Sequence, residues 1–330
     1  MGAFPDVVRD LTDFVKEDLP EMRTWLNKIL QYNVSGGKRL RGLAVVYSFR
    51  MFGDPKDLTP ENIRLSHILG WCVEMLQAFF IMTDDVMDKS LTRRGRPCWY
   101  KQPDVGFRAI NDAVTIESCI YVLLRKHFAD KPYYVKLIDL FHEITLKTEI
   151  GQTLDSIQEK KIDKFTMDRY NAIVKYKTAY YSFHLPVALA MHMAGVEDIE
   201  KHRQAKAILL EMGHFFQVQD DYMDVFGEEG VTGKAGTDIQ DGKCTWLAVV
   251  ALQRSTAEQR KILMDCYGHD DKEKVVAVRQ LYLQLGLPAI FSAHEEETYN
   301  MITTMIQQLS RGMPDDLFFT LLHKIYKRVN

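Results

Sequence analysis

Apolar side chains recur at positions i, i+3 and i+4 along nearly the whole chain, and this spacing constrains the fold more than any other feature. It is the period of an α-helix with one buried face. Alternating runs bounded by Asn-Gly or Asp-Gly turns, which are typical of β-hairpins, do not appear. Residues 187–287 contain no proline, and only Pro186 falls inside a helical pattern. The sequence therefore predicts an all-α fold.

Two long apolar helices are predicted, and both end in aspartates. Thr59 is the expected N-cap of the first helix and Pro60 its first residue, and this helix ends at Asp84–Asp88. The second helix is predicted to begin after Glu200 and ends at Asp220–Asp224. Both acidic clusters are thus expected at the C-terminal ends of apolar helices.

The composition is that of a soluble globular protein, with 46% hydrophobic and 26% charged residues. The net charge is −3, and Lys and Arg are dispersed, so the basic stripe of a nucleic-acid binder is missing. The most apolar stretch, Ile68–Met82, is interrupted by Glu74 and is shorter than the roughly 18 residues that span a membrane. We therefore expect neither a nucleic-acid partner nor a membrane span.

Neither a low-complexity linker nor a repeat of solenoid period divides the chain, so residues 1–330 are predicted to form one domain. The five cysteines form no Cys-x-x-Cys pair and no zinc-binding pattern, which favours a reducing compartment. The N-terminal residues include early acidic side chains and lack the apolar core of a signal peptide. The expectation is a cytoplasmic protein.

Both acidic clusters have the pattern D-D-x-x-D: Asp84, Asp85 and Asp88 form the first, and Asp220, Asp221 and Asp224 form the second. On a helix, the first and last carboxylates of this pattern lie on one face, one turn apart. The middle carboxylate is rotated by roughly 100° and suits a supporting or water-mediated role better than direct ligation. Carboxylates without nearby His or Cys are hard ligands, which predicts Mg²⁺ bound together with water and phosphate oxygens.

A single cluster of this kind is as often a solvated surface patch that ends a helix. Two copies are harder to explain in that way, because carboxylates near a helix C-terminus repel one another and meet an unfavourable dipole. A cation is needed to compensate for both effects. A non-enzymatic helical scaffold with acidic patches is the alternative.

If the ligand is a diphosphate, cationic donors are expected near the clusters. Gly36-Gly37 precedes three cations, and a glycine pair allows close approach to the backbone. The candidates, each of which on its own is more often a surface cation, are Lys38, Arg39, Arg41, Arg93, Arg94, Lys177 with Thr178, Lys234 and Lys243. Gly233-Lys234 does not form a P-loop, because Ala235 replaces the required Ser or Thr and no strand precedes it.

Together these residues resemble the trans-isoprenyl diphosphate synthases, most closely the eukaryotic farnesyl diphosphate synthases. The resemblance covers nearly the whole chain. Besides the two D-D-x-x-D motifs, it rests on Ser90–Gly95, Thr148–Asp155, Lys175–Thr178 and Val231–Lys243, in this order.

The resemblance implies a single-domain bundle of long helices around a deep central cavity, in a homodimer, with the two aspartate-rich helices facing each other. It implies a prenyltransferase that condenses dimethylallyl or geranyl diphosphate with isopentenyl diphosphate to give geranyl or farnesyl diphosphate. It also implies three Mg²⁺ per active site, with Mn²⁺ as the alternative ion. Asp84 and Asp88 would hold two of these ions, and Asp220, supported by Asp221 and Asp224, would hold the third.

The resemblance also assigns ligands to the two diphosphates. The allylic diphosphate is implied to contact Arg93, Lys177, Thr178, Gln217, Lys234 and Lys243. Isopentenyl diphosphate is implied to contact Lys38, Arg41, Gln77 and Arg94. Because the departing diphosphate gains charge as the allylic C–O bond breaks, fixed cations stabilise the transition state most. The residues expected to act in catalysis are therefore Asp84, Asp88, Asp220, Lys177 and Arg93.

Two further features bear on the product. Phe79 and Phe80 precede Asp84 by about one helical turn, and an aromatic pair at this place limits the product to fifteen carbons in the family. Without the resemblance, plain core packing would explain the pair equally well. Leu40 stands where eukaryotic members usually have asparagine. This departure leaves open a terpene synthase that ionises a prenyl diphosphate without isopentenyl diphosphate, whereas the retained isopentenyl contacts favour condensation.

Overall fold

The computed structural model describes residues 2–15, 19–227 and 236–326. The regular secondary structure of these residues is almost entirely helical, which confirms the predicted all-α class. Spatial contacts divide the chain into two compact units, of which the first comprises Met1–Thr145 and His184–Ala205, and the second Leu146–Phe183 and Lys206–Asn330. The prediction of one domain is not tested by this division and stays a prediction.

In chain order, the helices are α1 (Phe4–Phe14), α2 (Pro20–Asn33), α3 (Leu40–Phe52), α4 (Pro60–Met87), α5 (Arg108–Phe128), α6 (Tyr134–Gln158), α7 (Met167–Val174), a π-helix (Lys175–His184), α8 (Leu185–Met193), α9 (Ile199–Phe226), α10 (Asp238–Asp241), α11 (Trp246–Arg254), α12 (Ala257–Cys266), α13 (Lys272–Gln284), α14 (Leu287–Gln307) and α15 (Asp315–Ile325). Short 3-10 turns cover Pro55–Asp57, Trp99–Lys101 and Ile162–Lys164, and the strands are β1 (Thr92–Arg93) and β2 (Arg96–Pro97).

Helix α4 is the core helix of the first unit. Its N-cap is Thr59, as predicted, because the Thr59 hydroxyl accepts a hydrogen bond of 3.2 Å from the Asn62 N–H. Helix α4 packs on α3 and α5, and nearly every side chain from Leu65 to Phe79 is buried. The helix ends at Met87, with Asp88 as its C-cap. The first acidic cluster therefore occupies the last turn of a buried helix.

Length and hydropathy alone would allow α4 to cross a membrane, and 83% of its most apolar window is buried. Helices α13 and α14 meet the same criteria of length and hydropathy only when they are taken together, and the angle between them is 61°. Such burial is typical of the core helix of a globular protein, and most of Ile68–Met82 is buried.

Two details differ from the sequence-based expectations. Helix α9 begins at Ile199 rather than after Glu200, because the Asp198 carboxylate accepts a hydrogen bond of 2.9 Å from the Glu200 N–H and so caps the helix. A small antiparallel hairpin pairs β1 with β2, which the spacing of apolar residues did not predict. Its two-residue turn, Arg94-Gly95, has φ values of 55° and 70°. Positive φ at both positions is the geometry of a type I′ turn.

The second unit has its own core around α11. Leu247 is fully buried there, and the core includes Trp246, Tyr282 and Phe291. The hydroxyl of Thr245 caps α11 by accepting a hydrogen bond of 3.2 Å from the Ala248 N–H. This core supports the C-terminal half of α9, where Val218 and Val225 are buried beside the second acidic cluster.

Candidate active site

The middle carboxylate of the first cluster points into the protein. Asp85 is 3% exposed, and its Oδ1 accepts hydrogen bonds of 2.9 Å and 2.6 Å from Nε and Nη2 of Arg93. Burial raises the pKa of Asp85, although Arg93 opposes this change. Arg93 Nη2 also lies 3.3 Å from Oδ2 of Asp84. Asp84, Asp85 and Arg93 therefore form one ion-paired group, and the outer carboxylates Asp84 and Asp88 are half-buried.

The middle carboxylate of the second cluster is arranged in the same way. Asp221 is 4% exposed and accepts hydrogen bonds of 2.9 Å from Gln217 Nε2 and 2.9 Å from the Trp246 N–H. Burial raises the pKa of Asp221, and these two hydrogen bonds lower it in part. Gln217 Oε1 in turn accepts a hydrogen bond of 2.8 Å from the Thr178 hydroxyl. Two predicted diphosphate ligands, Gln217 and Thr178, are thus joined to Asp221.

Asp224 connects the end of α9 to the start of α10. Its carboxylate accepts hydrogen bonds of 3.3 Å from the Thr237 N–H and 3.0 Å from the Asp238 N–H. The predicted ligand Lys234 lies outside the described residues. Asp224 thus holds the backbone at Thr237 and Asp238 by these two hydrogen bonds.

The two remaining predicted lysines share acidic partners. Lys177 Nζ lies 2.6 Å from Oδ2 of Asp155, and Lys243 Nζ lies 3.5 Å from the same oxygen. Lys243 also pairs with Glu159 at 2.6 Å. Asp155 is 5% exposed, and Lys243 is 7% exposed. Asp155 therefore orients both lysines, a role that the sequence did not assign to it although it ends the Thr148–Asp155 motif.

A π-helix carries Lys177 and Thr178. It spans Lys175–His184, and Pro186, the one proline inside a helical pattern, comes two residues after its end. A π-helix of ten residues is unusual, because most are single turns within α-helices at functional sites. Gly151 of α6 touches this segment so closely that a Cβ atom there would overlap the Lys177 backbone nitrogen. The glycine of the predicted Thr148–Asp155 motif therefore sets how near the π-helix lies to α6.

In the first unit, Arg94 packs against the glycine pair. A Cβ atom on Gly37 would lie 3.0 Å from Cζ of Arg94, and one on Gly36 would lie 3.1 Å from its Nη1. Loss of hydration lowers the pKa of Arg94, Glu74 raises it, and nearby Arg41 lowers it further. The predicted isopentenyl ligands Arg41 and Arg94 are thus close enough to repel each other. A bound anion would relieve that repulsion.

Gln77 is the buried member of the predicted isopentenyl ligands. It is 9% exposed, and its Oε1 has no hydrogen-bond partner among the described residues. An unpaired buried amide oxygen costs about 1–3 kcal/mol.

One α-helical turn before the first cluster, Phe79 and Phe80 contact each other with ring centroids 5.1 Å apart. Their predicted role in product length stays a prediction.

A model of the family described as polyprenyl synthetase matches residues 23–285. The chain belongs to the polyprenyl synthetase family. It is 59% identical over 329 residues to the farnesyl pyrophosphate synthase of Nezara viridula, covering 99% of this chain and 81% of that protein. It is 50% identical to the farnesyl pyrophosphate synthase of Homo sapiens, covering 98% of this chain and 79% of that one.

Solved structures show the same fold. This member of the polyprenyl synthetase family superposes on T. brucei farnesyl diphosphate synthase complexed with the bisphosphonate BPH-722 with a TM-score of 0.92, at 33% identity and with 100% of this chain and 99% of that one covered. The T. brucei enzyme complexed with risedronate gives a TM-score of 0.90 at 33% identity, with the same coverage. These matches favour prenyl transfer over the terpene synthase alternative.

Members of the polyprenyl synthetase family use divalent metal ions, and the acidic clusters fit such ions only in part. Within residues 2–15, 19–227 and 236–326, no three His, Cys, Asp or Glu side chains are grouped so as to hold an ion by themselves. Each cluster buries its middle carboxylate and keeps two half-buried ones. That supply of hard oxygens suits Mg²⁺, which retains waters and takes further oxygens from phosphate.

Proposed function

We propose that this protein is a magnesium-dependent prenyltransferase that condenses dimethylallyl or geranyl diphosphate with isopentenyl diphosphate to give geranyl and farnesyl diphosphate. The observation that carries the proposal is the group of cations beside Gly36-Gly37, where Arg94 packs against the glycine backbone and is repelled by Arg41, so that a second anion would be stabilised there. Ionisation of one substrate needs only the clusters and their cations. A second diphosphate site is needed only for condensation.

The second site consists of Lys38, Arg41, Gln77 and Arg94, which we call the isopentenyl half-site. All four residues belong to the first unit. Arg94 faces the Gly36-Gly37 backbone, so a diphosphate bound there would meet a planar guanidinium and an unobstructed main chain. Gln77 would donate a hydrogen bond from its Nε2 to a diphosphate oxygen, since the ionised diphosphate only accepts.

Arg93, Lys177, Thr178, Gln217, Lys234 and Lys243 are proposed to bind the allylic diphosphate. When the C–O bond breaks, its electron pair leaves with the diphosphate. The cations stabilise the diphosphate most in this transition state, because its negative charge is then growing. The alkene of isopentenyl diphosphate then attacks C1 of the allylic cation and forms the new C–C bond. The proton lost from C2 of the isopentenyl unit goes to the released diphosphate.

Three magnesium ions are proposed, with Asp84 and Asp88 as ligands of two and Asp220 as ligand of the third; Mn²⁺ is the alternative ion. When bound, the ions supply positive charge that stabilises the leaving diphosphate. Asp85 and Asp221 accept hydrogen bonds from Arg93, Gln217 and the Trp246 N–H, so they fix the helix ends on which the metal ligands stand. The buried surface of α4 would keep water away from the cation.

The proposal is tested by incubating the protein with Mg²⁺ and geranyl diphosphate, with and without isopentenyl diphosphate, and identifying the products by mass spectrometry. We expect farnesyl diphosphate only when both substrates are present. Hydrocarbons or alcohols formed at full rate without isopentenyl diphosphate would instead indicate a terpene synthase. A parallel incubation with EDTA should abolish turnover.

A homodimer is also proposed. In the first unit, α5 and the residue before it expose an apolar stripe in which Phe107, Ile110 and Val114 are 79%, 49% and 49% exposed. The spacing of three and four residues places these side chains on one face. An exposed stripe of this kind is typical of an interface between subunits.

We propose that the protein works in the cytoplasm. The proposal is supported by its five free cysteines, four of which are buried, a pattern that suits a reducing compartment. Fractionation of the source cells, with the protein followed by antibody, tests the location.

A further inference from the structure

The end of α2 and the hairpin are joined by contacts that none of the predicted motifs contains. Arg96 Nη2 donates a hydrogen bond of 3.1 Å to the Tyr32 carbonyl, and its guanidinium carbon lies 4.5 Å from the centroid of the Tyr32 ring. The Tyr32 hydroxyl donates a hydrogen bond of 2.6 Å to the Pro97 carbonyl and accepts one of 2.8 Å from Gln102 Nε2. We call this set of contacts between Tyr32, Arg96, Pro97 and Gln102 the Tyr32–Arg96 clasp.

The clasp joins the two segments that meet in the isopentenyl half-site. Tyr32 lies near the end of α2, four residues before Gly36, and Arg96 follows Arg94 by two residues. A Cβ atom on Gly36 would lie 3.1 Å from Nη1 of Arg94 and 3.8 Å from Nη2 of Arg96. Both guanidinium groups therefore lie beside the same glycine. A pocket of about 30 Å³, large enough for a water molecule, is lined by Tyr32, Arg94 and Arg96 among other residues.

The hairpin needs this external support because it is very short. Each strand has only two residues, and an isolated two-stranded hairpin is marginally stable at best in water. Arg94 has a φ of 55°, a left-handed conformation that costs roughly 1–2 kcal/mol in a residue with a Cβ atom. The direction of the Arg94 side chain thus depends on a turn that its own strands hold only weakly.

We propose that the Tyr32–Arg96 clasp is a positioning element for the second substrate, which holds the Arg94 turn against Gly36-Gly37 so that both bind the diphosphate of isopentenyl diphosphate. The inference rests on the proposed function and adds two residues, Tyr32 and Arg96, to those that determine the affinity for that substrate. The clasp also holds Arg94 and Arg96 together against their mutual repulsion. Without it, the empty half-site would open, and substrate binding would have to close it first.

The test compares the KM for isopentenyl diphosphate with the KM for geranyl diphosphate in Arg96→Gln, Arg96→Lys and Tyr32→Phe. Arg96→Gln removes the charge and the ring contact, so we expect the isopentenyl KM to rise about tenfold. Tyr32→Phe keeps the ring and loses both hydroxyl hydrogen bonds, and a rise of about threefold is expected. Arg96→Lys keeps the charge without the planar fork and should resemble Arg96→Gln. The geranyl KM and the Tm should stay at the wild-type values in all three.

Arg203→Gln is the matched control, because Arg203 is an exposed arginine of the same unit that pairs with Glu200, one helical turn away. Full rescue by Arg96→Lys would overturn the clasp in favour of a simple charge effect. A parallel rise in both KM values with a lower Tm would also overturn it, since that pattern indicates general loss of structure.

Arg94→Lys separates failure of this inference from failure of the proposed function. If Arg94→Lys raises the isopentenyl KM while the Arg96 and Tyr32 variants do not, the clasp is wrong and the half-site stands. If Arg94→Lys also leaves that KM unchanged, the half-site itself is wrong, and the clasp falls with it.

Discussion

In both aspartate clusters, the middle carboxylate differs in burial and in hydrogen bonding from the two outer ones. In each, the carboxylate that the helix turns away from the other two is buried and takes hydrogen bonds from protein donors, Arg93 for Asp85, and Gln217 with the Trp246 N–H for Asp221. A buried carboxylate left unpaired would be strongly destabilising. The donors thus allow three carboxylates to stand at a helix end where the dipole opposes them.

The outer carboxylates carry the first prediction. Asp84→Ala or Asp220→Ala should lower kcat by about a hundredfold or more, because each removes an oxygen ligand of a proposed metal ion. The far-UV circular dichroism spectrum should not change. Asp270→Ala, at an exposed loop position, is the matched control and should keep wild-type turnover. Near-normal kcat in either cluster variant would exclude that residue as a metal ligand.

His192 carries a prediction about acid stability. Its ring stacks on His202 with centroids 4.7 Å apart, and its Nδ1 is buried without a hydrogen-bond partner among the described residues. Burial lowers the pKa of His192 to about 4, and His202 contributes to the lowering. Because the unfolded chain takes up this proton near pH 6.5, His192 contributes stability above that pH and loses it as the pH falls towards 4.

Denaturant unfolding at pH 7.5 and 5.5 measures this effect. The free energy of unfolding should fall by about 1 kcal/mol from this residue alone, and His192→Leu should make the fall smaller by that amount. His269→Leu, a histidine substitution at an exposed position, is the matched control. An identical pH dependence in His192→Leu and wild type would show that the pKa of His192 is the same in the folded and unfolded states.

At the scale of elements, the π-helix and α6 are held at a distance that only glycine permits. Gly151→Ala would force a Cβ atom into the Lys177 backbone and move Lys177 and Thr178. We expect kcat/KM for geranyl diphosphate to fall by about tenfold to a hundredfold, since small displacements of binding groups are costly. The KM for isopentenyl diphosphate should change little. Thr153→Ala, at an exposed position of the same helix, is the control.

Helix α4 carries the prediction about product length. Phe80 lies one turn before Asp84 and packs on Phe79, so Phe80→Ser would open space along the helix below the first cluster. Products longer than fifteen carbons should then appear by mass spectrometry when isopentenyl diphosphate is in excess. An unchanged product profile would mean that the Phe pair is ordinary core.

At the scale of the whole molecule, the apolar stripe of α5 predicts the oligomeric state. Size-exclusion chromatography with light scattering should give a dimer for the wild type. Ile110→Glu should give a monomer, because a charge at the centre of an apolar interface would be desolvated. Ile199→Glu is the matched control, since Ile199 is 85% exposed in the same unit. A dimer in Ile110→Glu would place the interface elsewhere.

The sequence predicted the features that depend on neighbouring residues. The Thr59 cap, the end of α4 at the first cluster and the turn of Asp85 away from Asp84 and Asp88 all follow from interactions within one or two helical turns. The hairpin was missed for a physical reason, because its strands are too short for any alternation, and its turn uses Arg94 rather than Asn or Asp before glycine. The start of α9 was misplaced because the Asp198 cap was overlooked.

By itself, then, the sequence determined the helical class and the position of both acidic clusters at helix ends, since periodicity and spacing are local properties; the residues of the diphosphate site stay a prediction. Only the tertiary structure decided which carboxylate or carbonyl oxygen each cationic side chain contacts. Asp155 pairs with Lys243, 88 residues away in the chain, and Arg96 meets the carbonyl of Tyr32 across 64 residues. Such pairs are chosen by the packing of helices against one another, which spacing along a single helix does not encode.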